Sequence, residues 1–286
     1  MDGVPGAETG SGAEFARKKA GRADRCKGRI PLESSKTGDS REQAGLRGCG
    51  SGRNPDARRV PEALGLFIES STPRASLALV RGSEILFEEA FTGDRSHNAL
   101  LFAPLGRALG CLPAGERLAA VVIGTGPGSY SGTRVGIAAG QGVALVHGCP
   151  ALGLSSLLAV PAAADGDALA VGDARRGAVW RIGTAELRGG GEPRLCGLEA
   201  LAGEIRAALQ AGRTVFSLEP VAGTGLPSDL ATAVRLERPD AVLLAAAWRN
   251  LPDEERRRIG SLPPQPAYLR PPHVTVAKQG HPLLRK

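Results

Sequence analysis

A chain of 286 residues, 42% of them apolar, is long enough for one or two domains, and its core must rest on Leu, Val, Ile and Ala because aromatics supply only 3%. The cysteines (Cys26, Cys49, Cys111, Cys149, Cys196) are odd in number and scattered, which excludes a disulfide framework and a C-x-x-C zinc site and favours a reducing compartment. The +7 formal charge is spread too thinly to be an RNA footprint by itself, and no apolar run approaches the roughly 20 residues that span a bilayer, so a cytoplasmic location is expected.

Residues 1–62 carry thirteen Lys and Arg against nine Asp and Glu, and their large apolar residues stand alone. Such a stretch buries too little surface to offset its ordering entropy, so it is predicted to be a disordered, basic, Gly/Ser/Arg-rich extension. It reads either as a basic tail for RNA or as a dispensable piece, native or produced by an upstream start.

From Leu64 the texture changes. Leu64–Glu69 is a short apolar run that suits a buried strand. Arg74–Arg81 and Glu84–Phe91 follow as strands around a turn at Gly82. Leu100, Leu101, Leu105 and Leu109 set a helical rhythm over Ser96–Leu109, with Ser96 as N-cap. Leu118–Gly124 is a strand, Thr133–His147 a helix behind a Gly-rich turn, and Ala151–Leu154 a strand. The second part is expected to echo the first: helix over Ser155–Ala164, strands over Ala168–Asp173 and Ala178–Glu186 and near Arg194, helix over Leu198–Ala211, strand over Thr214–Leu218, and helix over Asp240–Asn250. The tail from Leu262 is Pro-rich and irregular. The order predicts an α/β fold with mixed sheets, divided into residues 63–154 and 155–286.

The Gly-rich turn, Gly124-Thr125-Gly126-Pro127-Gly128-Ser129-Tyr130-Ser131-Gly132, fits no nucleotide template. It has no Lys after the glycines, and Ser131 stands where a dinucleotide fingerprint needs its third Gly. Neither Ser129 nor Ser131 lies in a G-x-S-x-G elbow. Gly132, Gly136 and Gly140 recur every four residues and share one helix face. Each interior Gly costs about 1 kcal/mol against Ala, so something must come close to that face. It is read either as a contact for a partner helix or as packing within the chain.

The run Gly126-Pro127-Gly128-Ser129-Tyr130-Ser131-Gly132-Thr133-Arg134-Val135-Gly136 resembles the G-P-G-S-[FY]-[TS]-G-x-R-[IV]-G signature of the TsaB (YeaZ) family of tRNA threonylcarbamoyladenosine biosynthesis proteins. Arg95-Ser96-His97-Asn98-Ala99-Leu100-Leu101, Gly153-Leu154-Ser155-Ser156-Leu157 and Asp173-Ala174-Arg175-Arg176-Gly177-Ala178-Val179-Trp180 resemble further family motifs in the same order. The resemblance is dense over residues 64–180, thin afterwards and absent from 1–62. It implies the actin/Hsp70/sugar-kinase (ribonuclease H-like) fold with two αβ lobes. It also implies a non-catalytic scaffold that pairs with the catalytic subunit TsaD through helices of the first lobe. A TsaE-like ATPase would join them, tRNA would be met through the complex, and the chain alone could form a homodimer. ATP and Mg would be used by the complex, with no cofactor of this chain's own. The pairing would map to His97, Leu100, Leu101, Pro104, Leu105, Gly132, Arg134, Gly136, Ile137 and Gly140.

Two enzymatic alternatives belong to the same superfamily, an ATP-dependent phosphotransferase and a metallopeptidase-like enzyme. The catalytic paralogue's H-x-x-x-H pair is missing, since Leu101 stands four residues after His97. The first phosphate loop, I-D-T-S in the superfamily, is here Ile68-Glu69-Ser70-Ser71. Glu69, Ser70 and Asp173 are the candidates for contact with a nucleotide, and each is equally readable as a structural residue. Asp173 with Arg175 would by default form a structural ion pair.

Overall fold

The computed structural model describes residues 63–93 and 97–270, with residues 97–99 described in the backbone alone. The expectations for residues 1–62, and the N-cap role of Ser96, lie outside the described residues.

Alternation builds the first sheet. In β1 (Leu64–Glu69), Leu64, Leu66 and Ile68 face one side and Phe67 the other, all buried. β2 (Arg74–Arg81) and β3 (Glu84–Thr92) extend it as an antiparallel meander. Gly82 turns the hairpin with φ 57, a conformation that a side chain resists. Helix α1 (His97–Gly110) leads to β4 (Ala120–Gly124), which lies parallel to β1. Helix α2 (Tyr130–His147) leads to β5 (Ala151–Leu154), parallel to β4. The sheet order is β3-β2-β1-β4-β5.

α2 starts three residues before the expected Thr133. Ser129 caps it, its hydroxyl accepting from the Gly132 N–H at 3.2 Å, and Gly148 closes it with φ 64. The helix expected over Ser155–Ala164 is broken. Ser156–Leu158 form a 3-10 turn, and Pro161 begins the separate short helix α3 (Pro161–Ala164).

The second sheet repeats the first. β6 (Leu169–Asp173), β7 (Val179–Gly183) and β8 (Arg194–Cys196) form an antiparallel meander. The strand expected to run on to Glu186 stops at Gly183, where α4 (Thr184–Arg188) begins. Thr184 is buried, and its hydroxyl accepts from the Ala168 N–H at 2.9 Å where the chain leaves β7. After α5 (Leu198–Gln210), β9 (Val215–Ser217) pairs parallel to β6. After α6 (Ser228–Ala233), the short β10 (Arg235–Leu236) pairs parallel to β9. Read from the meander inward, both sheets have one strand order and one pattern of parallel and antiparallel pairs.

Helices α7 (Ala241–Asn250) and α8 (Asp253–Gly260) finish the described chain. α7 returns to the first sheet and packs across β1, β2 and β4. Its N-cap, Asp240, accepts from the Val242 N–H at 2.8 Å and pairs with Arg74 of β2 at 3.1 Å. Three cores result. α1 and α2 cover the outer face of the first sheet, and α5 covers the corresponding face of the second. The third core joins the two lobes: Phe67, Ala78 and Val122 of the first sheet meet α7, and the cluster runs on to Trp180, Ile182 and Phe216 of the second. No helix among the described residues is long and apolar enough to cross a membrane.

Candidate partner interface

The glycine face of α2 is turned inward. A Cβ on Gly132 would lie 2.3 Å from the carbonyl oxygen of Ser70, one on Gly136 2.2 Å from the Ser70 hydroxyl, and one on Gly140 2.6 Å from Ile123. The glycines let α2 lie directly on β1 and β4, so the partner contact placed on Gly132, Gly136 and Gly140 is corrected to packing within the chain. Ile137, Leu101, Pro104 and Leu105 are buried too, mostly in the outer core of the first lobe. Period and apolar character cannot separate a helix face that meets its own sheet from one that meets another molecule.

What remains outside is the opposite face. From Val135 to Val146 α2 has one polar side chain, Gln141, so it is apolar nearly all round. A helix of that kind is normally covered on every side. Here the outer side borders a groove of about 550 Å³ between α1 and α2, lined by Phe102, Leu105, Leu109, Val135, Ala138, Ala139, Gly142, Val143, Val146 and His147. Phe102 is 58% exposed, Leu145 84% and Val146 82%. Of the ten interface candidates, among the described residues, Leu105 alone lines this groove. His97 opens α1 with its side chain undescribed, and Arg134 sits one turn into α2, stacked on Tyr130. Phe102, Val135, Ala139 and Val146 were missed, although the all-round apolar character of α2 was there to read.

The nucleotide candidates are spent internally. Glu69 and Ser70 are buried beneath the glycine turn, where they serve as structural residues. Glu69 Oε1 accepts from the Ser71 N–H at 2.7 Å, and a Cβ on Gly124 would strike Glu69 Oε2. Burial pushes the Glu69 carboxyl up, hydrogen bonding with Ser71 and Ser156 works against that, and the charge of Asp240 adds to it. Those hydroxyls flank the carboxyl, yet Oε2 meets no donor in hydrogen-bonding geometry. Ser70 donates to the Gly132 carbonyl at 2.9 Å, and the Ser129 N–H donates to the Ser71 carbonyl at 2.6 Å. Together these bonds shut the β1–β2 turn against the N-terminus of α2. Asp173 is likewise engaged, accepting from the Arg175 N–H at 2.6 Å and pairing with its guanidinium at 3.0 Å. It thereby holds Arg175 and Arg176 in left-handed backbone, φ 64 and 55, at the β6–β7 turn.

Residues 94–201 match the family model of TsaD, tRNA N6-adenosine threonylcarbamoyltransferase. An uncharacterized protein of Mycobacterium tuberculosis and one of Mycobacterium bovis are each 34% identical over 126 residues, 43% of this chain. The chain spans 59% of the length of these curated relatives. Among solved structures, a Pseudomonas aeruginosa protein described as similar to peptidase YEAZ matches with a TM-score of 0.51 at 20% identity, over 73% of this chain and all of that one. YeaZ from Pseudomonas aeruginosa matches with a TM-score of 0.43 at 21% identity, over 65% and 90%.

Duplicated αβ lobes of this strand order define the class, an actin/Hsp70/sugar-kinase-like fold. Within that fold, residues 94–201 are similar to the TsaD family, and the architecture is similar to that of a YeaZ-like protein.

Proposed function

We propose that this chain is a non-catalytic scaffold of a tRNA threonylcarbamoylating assembly and that it docks a TsaD-like catalytic subunit on the outer face of α1 and α2. The observation that carries the reading is the open apolar groove there, on a helix whose other face is already packed against its own sheet. Exposed, contiguous apolar surface of this kind marks interaction sites. The shut first loop supports the absence of catalysis, because Glu69 has no access to a metal-bound phosphate. In the same reading a TsaE-like ATPase joins the pair, ATP and Mg serve the complex, and tRNA is bound by the assembly.

The test is reconstitution. A TsaD-like subunit, the ATPase and threonylcarbamoyl-adenylate are incubated with tRNA, with and without this chain. Transfer is expected only when the chain is present, and the Glu69→Gln variant should support it equally well. Turnover by this chain alone, or transfer that does not need it, contradicts the proposal.

A further inference from the structure

The protein has two tyrosines, and the fold brings both to one arginine. Arg134 lies 3.4 Å above the ring centroid of Tyr130 and 5.5 Å from that of Tyr268, and it donates to the Tyr268 hydroxyl at 2.6 Å. Tyr268 comes from far along the chain. It is brought there by the Ala267 N–H, which donates to the Thr125 carbonyl at 2.9 Å, and by Pro264 packing on Gly153. Aromatics usually go inside, yet Tyr130 is 70% exposed and Tyr268 57%. Every ion pair among the described residues belongs to another arginine, so no described carboxylate neutralises Arg134.

We propose that Tyr130, Arg134 and Tyr268 form a stacking site for unpaired bases of RNA. Flat aromatic and guanidinium surfaces take the π-face of any base, and an unneutralised guanidinium attracts the adjoining phosphates. The sequence that leaves the site points the same way. Residues 269–286 hold Arg270, Lys278, Arg285 and Lys286 and no acidic residue. Such a segment is complementary to a polyphosphate backbone. The choice of RNA rests on the tRNA reading above; the exposed stack is independent of it.

The full-length chain is titrated, at one stated salt concentration, with a fluorescein-labelled single-stranded RNA of about twelve nucleotides, and with the same strand annealed to its complement. The single strand should bind more tightly. The Tyr130→Ala/Tyr268→Ala double variant should keep its melting temperature and lose about tenfold or more in affinity for it. Arg134→Lys keeps the charge without the flat surface and should weaken binding several-fold. No binding of single-stranded RNA, or a double variant that binds it as well as the parent, overturns the site. So does a double variant that loses a TsaD-like subunit while its RNA affinity is unchanged, which would make the stack a protein contact. Capture of that subunit by the parent chain is measured in the same series. RNA binding that fails while capture holds sinks this inference alone. Capture that fails while RNA binding holds sinks the scaffold reading and leaves the stack as an RNA site.

Discussion

Glu69 carries a carboxyl into the fully buried interior, and among the described residues its Oε2 has no donor in hydrogen-bonding geometry. An unsatisfied buried acceptor costs about 1–3 kcal/mol, and ionisation adds to that cost. The sign of the pH dependence follows. The folded protein holds this proton more tightly than the unfolded chain, whose carboxyl keeps the ordinary value of 4.5. The group's contribution is therefore fully present below pH 4.5 and is lost as pH rises through the higher folded value. Glu69→Gln keeps the acceptor for the Ser71 N–H and adds a donor. It should raise the melting temperature at neutral pH and leave it unchanged at pH 4, as differential scanning fluorimetry across pH would show. A glutamine variant less stable than the parent at pH 7 would mean that the carboxylate is stabilising. Gly132 is the second residue whose role its surroundings fix. Gly132→Ala drives a methyl against the Ser70 carbonyl and should cost about 1–3 kcal/mol in chemical denaturation.

Helix α2 shows what a single change of face does. Gly142 shares the helix with Gly132, but a methyl group there would meet nothing within 4 Å. Gly142→Ala should therefore stabilise the protein by up to about 1 kcal/mol, the opposite sign to Gly132→Ala, in the same denaturation experiment. Much of the fold was legible at this scale. β1, β2 and β5 begin and end where their apolar runs do, because a buried strand has no other way to satisfy both faces. α8 was not legible through apolar rhythm. It reads Asp253-Glu254-Glu255-Arg256-Arg257-Arg258 and buries only Glu255 and Ile259. Its acids in the first turn and arginines in the last match the helix dipole, so charge order was the available signal. The site was half legible. α1 and α2 were found by their apolar rhythm, but the glycine face of α2 stayed open between a partner and the chain itself, because the direction of a helix face depends on a sheet that local sequence does not describe.

The two lobes are joined by a shared core and by α7, which belongs to the second half of the chain and packs on the first sheet. They should unfold together. Trp180 reports on the second sheet and Trp248 on α7, so tryptophan fluorescence and far-UV circular dichroism should give coincident denaturation curves. Leu244, fully buried in α7, ties the halves, and Leu244→Ala should cost about 2–5 kcal/mol while keeping the transition single. The central claim concerns the other side of the first lobe, where the groove between α1 and α2 is proposed to receive a TsaD-like subunit. Gly142→Leu fills that groove from a position open to solvent, and Val146→Lys places a charge beside it at a residue 82% exposed, with the sign the C-terminus of α2 favours. Neither change disturbs the described core. The decisive measurement is the affinity of a TsaD-like subunit for the parent chain and for the two variants, by isothermal titration calorimetry, with melting temperatures recorded alongside. The account predicts that both variants keep the parent's melting temperature or exceed it and bind at least tenfold more weakly, about 1.4 kcal/mol or more. Unchanged affinity in two folded variants would contradict it.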